Sequence, residues 1–398
     1  MDHLDIRQLR AATKGTADWI HFNNAGASLP PDVVVETVIA YLKEEAINGG
    51  YETEARHHQA LENVYPLIAK LINAATEEVA VVENASTAWH LAFNGIGFEK
   101  GDEIITSEME YVTNLIGFLN VQKTQDVRIK VVPQDESGNF SLPALEEAIS
   151  ARTKLIAITH LPSTAGNILP VADIGRIARQ KHILYLVDAC QSIGQLPLDV
   201  KDIGCDMLSV TGRKYLRAPR GTGFLYVRKE IQDRLKLLFM DGRSTAWVSE
   251  NDYKLRDDAR RFELYEKNRA LVLGLGAAIS YALDLGLDRS WQRIRRLSTL
   301  FREKLTAIEG VILNDKGDQL SGIVTFSVAG MEAADIKAAL AKKNINVSVG
   351  NAVSTLIYMN RHHLTGIVRA SVHYYNTEEE IDSFCTVLAA ILSPSYHP

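Results

Sequence analysis

Cysteine is scarce: Cys190, Cys205 and Cys385 are the three in 398 residues. An odd number so widely spaced builds neither a disulfide framework nor a paired-thiol metal or redox motif, so buried free thiols are expected. A basic excess is missing too. The formal charge of -6 at pH 7 argues against a nucleic-acid partner, because a phosphate backbone is held by a basic face. Long apolar runs are also absent. The most apolar stretch, 271–285, is broken by Gly, Ser, Asp and Tyr and falls short of the roughly 20 residues of a bilayer span, so no membrane partner is expected. The first residues, Met-Asp-His-Leu-Asp-Ile-Arg, lack the charged and apolar regions of a secretion signal, and a soluble cytoplasmic protein is expected. No low-complexity tract or short repeat interrupts a composition that is 46% hydrophobic and 23% charged, which is that of an ordinary globular chain.

What is present is length enough for two domains. Seven short apolar runs recur at 79–83, 103–106, 129–132, 155–159, 183–187, 206–210 and 223–227. Several are apolar throughout instead of alternating, the pattern of strands covered on both faces in a mostly parallel sheet. Helix signatures lie between them, at 141–149 behind a cap-like Ser141 and an early proline, and at 171–180 with apolar residues at helical spacing. The result is an α/β architecture. After about residue 251 the pattern changes to helices over 263–285 and 288–308, strands at 322–327 and 345–349, and a final helix over 377–392. The expected division is a large domain over 16–260 and a smaller α+β domain over 261–398 joined by residues 1–15.

In open α/β sheets ligands bind beyond the carboxyl ends of the strands. Three such ends carry chemistry: Asp188-Ala189-Cys190-Gln191, Thr211-Gly212-Arg213-Lys214 and Asn84-Ala85-Ser86-Thr87. Singly, each has a plain reading, with Asp188, Ser86 and Thr87 as caps and Lys214 as a solvated charge. Together they meet the needs of pyridoxal phosphate. Its Schiff-base lysine needs an amine whose pKa is lowered by burial or a neighbouring cation, and Arg213 stands beside Lys214. A carboxylate such as Asp188 keeps the ring nitrogen protonated, so that the ring serves as an electron sink. Its phosphate suits the N–H groups of a helix start with the hydroxyls of Ser86 and Thr87. Gly95-Ile96-Gly97 lacks the third glycine of a dinucleotide site. His57-His58 and His362-His363 have no zinc-ligand spacing, so no metal is expected.

The run 188–191 and the run 211–225, Thr-Gly-Arg-Lys-Tyr-Leu-Arg-Ala-Pro-Arg-Gly-Thr-Gly-Phe-Leu, resemble the cofactor aspartate and Schiff-base lysine motifs of the class V aminotransferase family. The resemblance extends from Asn23-Asn24-Ala25-Gly26-Ala27-Ser28 to the run 369–379, Arg-Ala-Ser-Val-His-Tyr-Tyr-Asn-Thr-Glu-Glu, and so covers nearly the whole chain. It implies a fold-type I enzyme, with Lys214 holding the cofactor and Asp188 at its ring nitrogen. Gln191 and Ser163 fall near the ring hydroxyl, and Tyr111, in Glu110-Tyr111-Val112-Thr113-Asn114, on the ring face. Ser86, Thr87, Thr211 and Arg213 fall at the phosphate. An amino acid substrate is implied, with Arg369 gripping its carboxylate and Asn24 and Arg220 as further substrate contacts. A homodimer is also implied, its active site at the subunit boundary and residues 243–247 reaching the partner's phosphate. Arg220 and Arg243 are candidates for the substrate's distal end, with solvated charge as the plain alternative.

Cysteine desulfurases of this family carry a nucleophilic cysteine on a loop before the carboxylate-binding arginine, but residues 350–368 contain none. Arg213 replaces a histidine common in desulfurases, and Ser163 an asparagine. The runs 213–221 and 368–377 look most like the hercynylcysteine sulfoxide lyases of ergothioneine biosynthesis. On this resemblance a carbon-sulfur beta-lyase acting on a cysteine-derived substrate is expected, with an aminotransferase or epimerase as the alternative. A desulfurase and a non-catalytic cofactor-binding protein rank below these.

Overall fold

The computed structural model describes residues 4–351 and 353–393, so residues 1–3 of the N-terminal stretch lie outside it. The seven apolar runs form one sheet in the order Val79–Val82, Gly223–Val227, Met207–Thr211, Leu184–Asp188, Thr153–Thr159, Glu103–Ser107, Arg128–Val132. Neighbours run parallel except at Gly223–Val227, which is antiparallel to both strands beside it. The strands are continuously apolar because successive residues enter opposite buried layers. Ile156, Ile158, Tyr185 and Val187 join one core, while Leu155, Ala157, Leu184 and Leu186 join the other.

Helices supply both layers. The Ser141 hydroxyl caps Leu142–Ala148 by accepting from the Ala144 amide at 3.3 Å, and Val171–Gln180 is helical as its spacing predicts. The helices Asp32–Asn48 and Gly50–Glu62 meet at Gly49, whose φ of +90° suits a residue without Cβ. The helix expected over 263–285 begins only at Arg269. Asn268 caps it by accepting from the Leu271 amide at 3.0 Å, and Glu263 is drawn instead into a buried ion-pair cluster. Ala270, Leu273, Leu275 and Ala278 of this helix pack into the first sheet's core.

The smaller sheet is antiparallel, in the order Val311–Leu313, Ile323–Val328, Gly366–Ser371, Ser348–Asn351. Leu287–Thr306 and Glu378–Leu392 close a separate core around Phe22, Phe301, Phe326 and Phe384, which Leu9 of the first helix joins. The last helix starts with a capping box between Thr377 and Glu380. The strand expected at 345–349 is split, because Ile345–Asn346 pairs with Ile20–His21 while Ser348–Asn351 pairs with the strand of Arg369. Among the described residues no single helix is long and apolar enough to cross a membrane.

Candidate active site

The carboxyl ends of the central strands open into a cleft of about 690 Å³, counting the space open to solvent at its mouth. Asp188 ends one strand and Thr211 the next, with Arg213 and Lys214 on the loop that follows Thr211. This loop is held tightly. A Cβ on Gly212 would lie 2.3 Å from the Thr222 hydroxyl, and one on Gly223 would lie 2.4 Å from the Val210 carbonyl, so neither position has room for a side chain. From the other side the Asn23–Ser28 turn wraps the loop. The Ser28 amide donates to the Arg213 carbonyl at 3.0 Å, the Arg213 guanidinium to the Gly26 carbonyl, and the Gln191 amide to the Ala25 carbonyl at 3.0 Å.

Eight of the sequence-derived candidates line this cleft: Ser86, Tyr111, Ser163, Asp188, Gln191, Thr211, Arg213 and Lys214. The Lys214 ammonium lies 6.0 Å from the centre of the Tyr111 ring. Burial lowers its pKa to about 8, with Arg213 and Arg369 adding to the effect while Cys190 and Asp188 oppose it. Asp188 accepts from the Cys190 amide at 2.9 Å on one oxygen and from the Asn114 side chain at 3.1 Å on the other.

Pyridoxal phosphate fits this donor set. Among the described residues the buried Ser163 hydroxyl and the side-chain oxygen of Gln191 have no partner, as expected of polar atoms that await a ligand hydroxyl. A free amine of lowered pKa and a carboxylate share the same cleft. Its far wall is the start of the helix Ala85–Gly95, where backbone N–H groups and the positive end of the helix dipole suit a phosphate.

Arg369 does not form the wall of the cleft but touches it. Its guanidinium donates to the Ser163 carbonyl at 2.7 Å and to the Ser348 hydroxyl at 2.9 Å, both uncharged partners. Burial pulls its pKa down to about 10, so it is a cation short of a counter-ion. Four other candidates stand apart. Thr87 is occupied with the helix cap, its amide donating to Asn84 Oδ1 at 2.9 Å. Asn24 is fully buried and bonded to the carbonyls of His21 and Ser371 and to the Tyr375 hydroxyl. Arg220 is exposed, near enough to lower the pKa of Arg213 but outside the wall. Arg243 is bonded within its own chain, to Glu263 at 3.0 Å and the Tyr65 hydroxyl at 2.9 Å. His57 pairs with Glu44 at 2.8 Å and His362 with Glu108 at 3.0 Å, while His58 is exposed.

Sequence reading missed Asn114, Thr159 and Cys190, which also line the cleft. Asn114 had a signal. It stands one helical turn beyond Glu110, in the same run that carries Tyr111. Thr159, the last residue of its strand, had only the general rule about strand ends.

The chain matches the family model "Aminotransferase class-V" over residues 20–384. A probable cysteine desulfurase of Methanothermobacter thermautotrophicus is 32% identical over 370 residues, covering 92% of each chain. Another probable cysteine desulfurase, of Synechocystis, is 32% identical over 383 residues, covering 94% of this chain and 91% of that protein. Among solved structures, the apo cysteine desulfurase of Thermococcus onnurineus superposes with a TM-score of 0.92 at 29% identity, covering 98% of both chains. The Escherichia coli cysteine desulfurase, at 22% identity, shares the fold with a TM-score of 0.91 over 98% of this chain and 99% of that one.

These likenesses overturn one expectation. A hercynylcysteine sulfoxide lyase-like reading was expected to lead and a desulfurase to rank low, yet the relatives matched along the whole chain are named cysteine desulfurases. The reason is physical. The resemblance was weighed on the short runs around Lys214 and Arg369, and one fold hosts many reactions, so such runs discriminate poorly among them. The missing loop cysteine bears on where sulfur goes, not on which amino acid is bound.

Proposed function

Since the chain belongs to the class V aminotransferase family and its cofactor is pyridoxal phosphate, we propose that it is an enzyme of the cysteine desulfurase type, which takes sulfur from cysteine and leaves alanine. The observation that carries the reading is Arg369. A part-buried guanidinium with only uncharged partners among the described residues, near the amine of Lys214, is a receptor for the carboxylate of an α-amino acid. The choice of cysteine is supported by the desulfurase names of relatives about 30% identical.

When bound, pyridoxal phosphate draws electron density from the amino acid's α-carbon and so weakens the bonds around it. The chain's own residues do the rest. Lys214 would remove and return the proton at the α-carbon. Asp188 would serve the ring nitrogen, Ser163 and Gln191 the ring hydroxyl, and Tyr111 the ring face. Ser86, Thr211 and Arg213, with the N–H groups of the helix start, would hold the phosphate. Arg369 orients the substrate by a two-pronged grip.

The sulfur acceptor in this proposal is a thiol in solution. Cys190 lines the cleft, but its thiol is buried and pushed well above its ordinary pKa by burial and by Asp188. Cys205 is also buried, and Cys385 lies in the last helix. The balanced reaction is cysteine plus RSH giving alanine plus RSSH: the carbon-sulfur bond breaks, a sulfur-sulfur bond forms, and the thiol proton offsets the hydrogen gained at carbon. Incubation with cysteine and dithiothreitol is expected to give alanine and sulfide in equal amounts. Pyruvate and ammonia in place of alanine would overturn the reading.

The proposal includes a homodimer. It is supported by apolar side chains left in water on the helix Asp32–Asn48 (Val33, Val35, Ile39, Leu42, Ile47) and on the hairpin of Thr245–Ser249, where Trp247 is 82% exposed. Light scattering is expected to give twice the 44.1 kDa of one chain, and a monomer would overturn this part.

A further inference from the structure

Glu110 is a buried carboxylate, 2% exposed, that has no role in the chemistry above. It accepts from the backbone amides of Tyr111 at 2.9 Å and Thr159 at 3.2 Å, from the Thr106 hydroxyl at 2.9 Å and from the Thr159 hydroxyl. The Asn114 side-chain nitrogen sits between two carboxylates, 2.8 Å from Glu110 Oε1 and 3.1 Å from Asp188 Oδ2. Backbone amides donate and cannot accept, so both oxygens of Glu110 are pinned as acceptors. That settles which end of Asn114 faces it. The NH2 group points to Glu110 with one hydrogen, leaving the other for Asp188. A flipped Asn114 would turn its oxygen toward two carboxylates.

We propose that Glu110 is a positioning residue for the ring nitrogen of the cofactor: it locks the Asn114 amide onto Asp188 and places a second negative charge behind Asp188, favouring a proton on that nitrogen. The inference rests on Asp188 as the partner of the ring nitrogen. The other titratable groups coupled to Asp188 are Lys214 and the Cys190 thiol; Arg213 and Arg369 act on Lys214, and the Tyr111 ring lies 6.0 Å from its ammonium. Burial and the charge of Asp188 press Glu110 toward taking up a proton, and its donors oppose this.

The test loads the protein with pyridoxal phosphate carrying ¹⁵N in the ring and follows the nitrogen shift against pH. In Glu110→Gln the ring proton is expected to leave about one pH unit lower than in the wild type, since a nearby negative charge has been lost. Thr106→Val removes a hydrogen bond to the same carboxylate but no charge, so it is expected to lower the melting temperature and leave the ring titration in place. Asn114→Ala cuts the bridge, and the dissociation constant of the cofactor is expected to rise about tenfold, the loss of one hydrogen bond to a charged group. A Glu110→Gln protein that titrates like the wild type overturns the proposal. If that variant does not fold, unchanged cofactor binding in Asn114→Ala overturns it instead. Asp188→Asn separates the two levels. A ring nitrogen still protonated there removes the premise about Asp188, whereas a proton lost in Asp188→Asn but unmoved in Glu110→Gln removes only the claim for Glu110.

Discussion

Lys214 and Lys267 are both lysines taken out of water, and burial lowers the pKa of each. They end in opposite situations. Lys267, its side chain 6% exposed, lies 2.5 Å from Glu263 and donates to the Val81 carbonyl at 2.9 Å; the same glutamate takes Arg243 at 3.0 Å and the Tyr65 hydroxyl at 3.0 Å. Lys214 has no such ion pair among the described residues, an aromatic ring 6.0 Å away, and two arginines adding to the pull of burial. A buried amine in a close ion pair is a strut, while one left without a pair is held ready to react.

The sharpest way to break this comparison is to remove each partner in turn. Lys214→Ala is expected to lower turnover by at least about a thousandfold, because the base and the cofactor attachment are lost together. Its melting temperature should not fall, since no ion pair is broken. Glu263→Gln should do the reverse. Removing the fully buried carboxylate from two cations is expected to cost about 3–5 kcal/mol in urea unfolding, with activity per folded molecule nearly unchanged. If Glu263→Gln left stability intact, the strut reading would fail.

Arg369→Lys keeps the charge near Lys214 but loses the planar fork. A drop of about 10- to 100-fold in kcat/KM for cysteine, carried by KM, is expected, with the visible band of the bound cofactor unaltered. The smallest effect is in pH. With its folded pKa at about 8, below the ordinary 10.5, Lys214 is mostly protonated under pH 8 and mostly free amine above it. Capture of pyridoxal phosphate by the apoprotein should therefore rise about tenfold per pH unit and level off near pH 8. A midpoint close to 10.5 would make Lys214 an ordinary solvated lysine.

Much of this was legible without coordinates. The apolar runs became strands because burial on both faces imprints a continuous pattern, and Ser141 and Thr377 act as caps because a side-chain oxygen at a helix start has one obvious donor. The strand carrying Arg369 was less visible, since Gly366–Ser371 is recognisable as a strand only from its partners at Ile323–Val328 and Ser348–Asn351. Thr87 shows the limit within the site. A hydroxyl at a helix start suits a phosphate and a cap alike, but here the cap is Asn84, whose Oδ1 accepts from both the amide and the hydroxyl of Thr87.

The α/β sheet and the cofactor could be read from the residues alone, because they depend on local pattern and on residue types that few other chemistries require together. Tertiary structure decided what could not be local. It paired Lys267 and Arg243 with Glu263, left Lys214 and Arg369 without counter-ions among the described residues, and set Asn114 between two carboxylates 78 positions apart in the chain, at 110 and 188. Whether a charged side chain is neutralised depends on what lies within a few ångströms after folding, and composition carries no record of those distances.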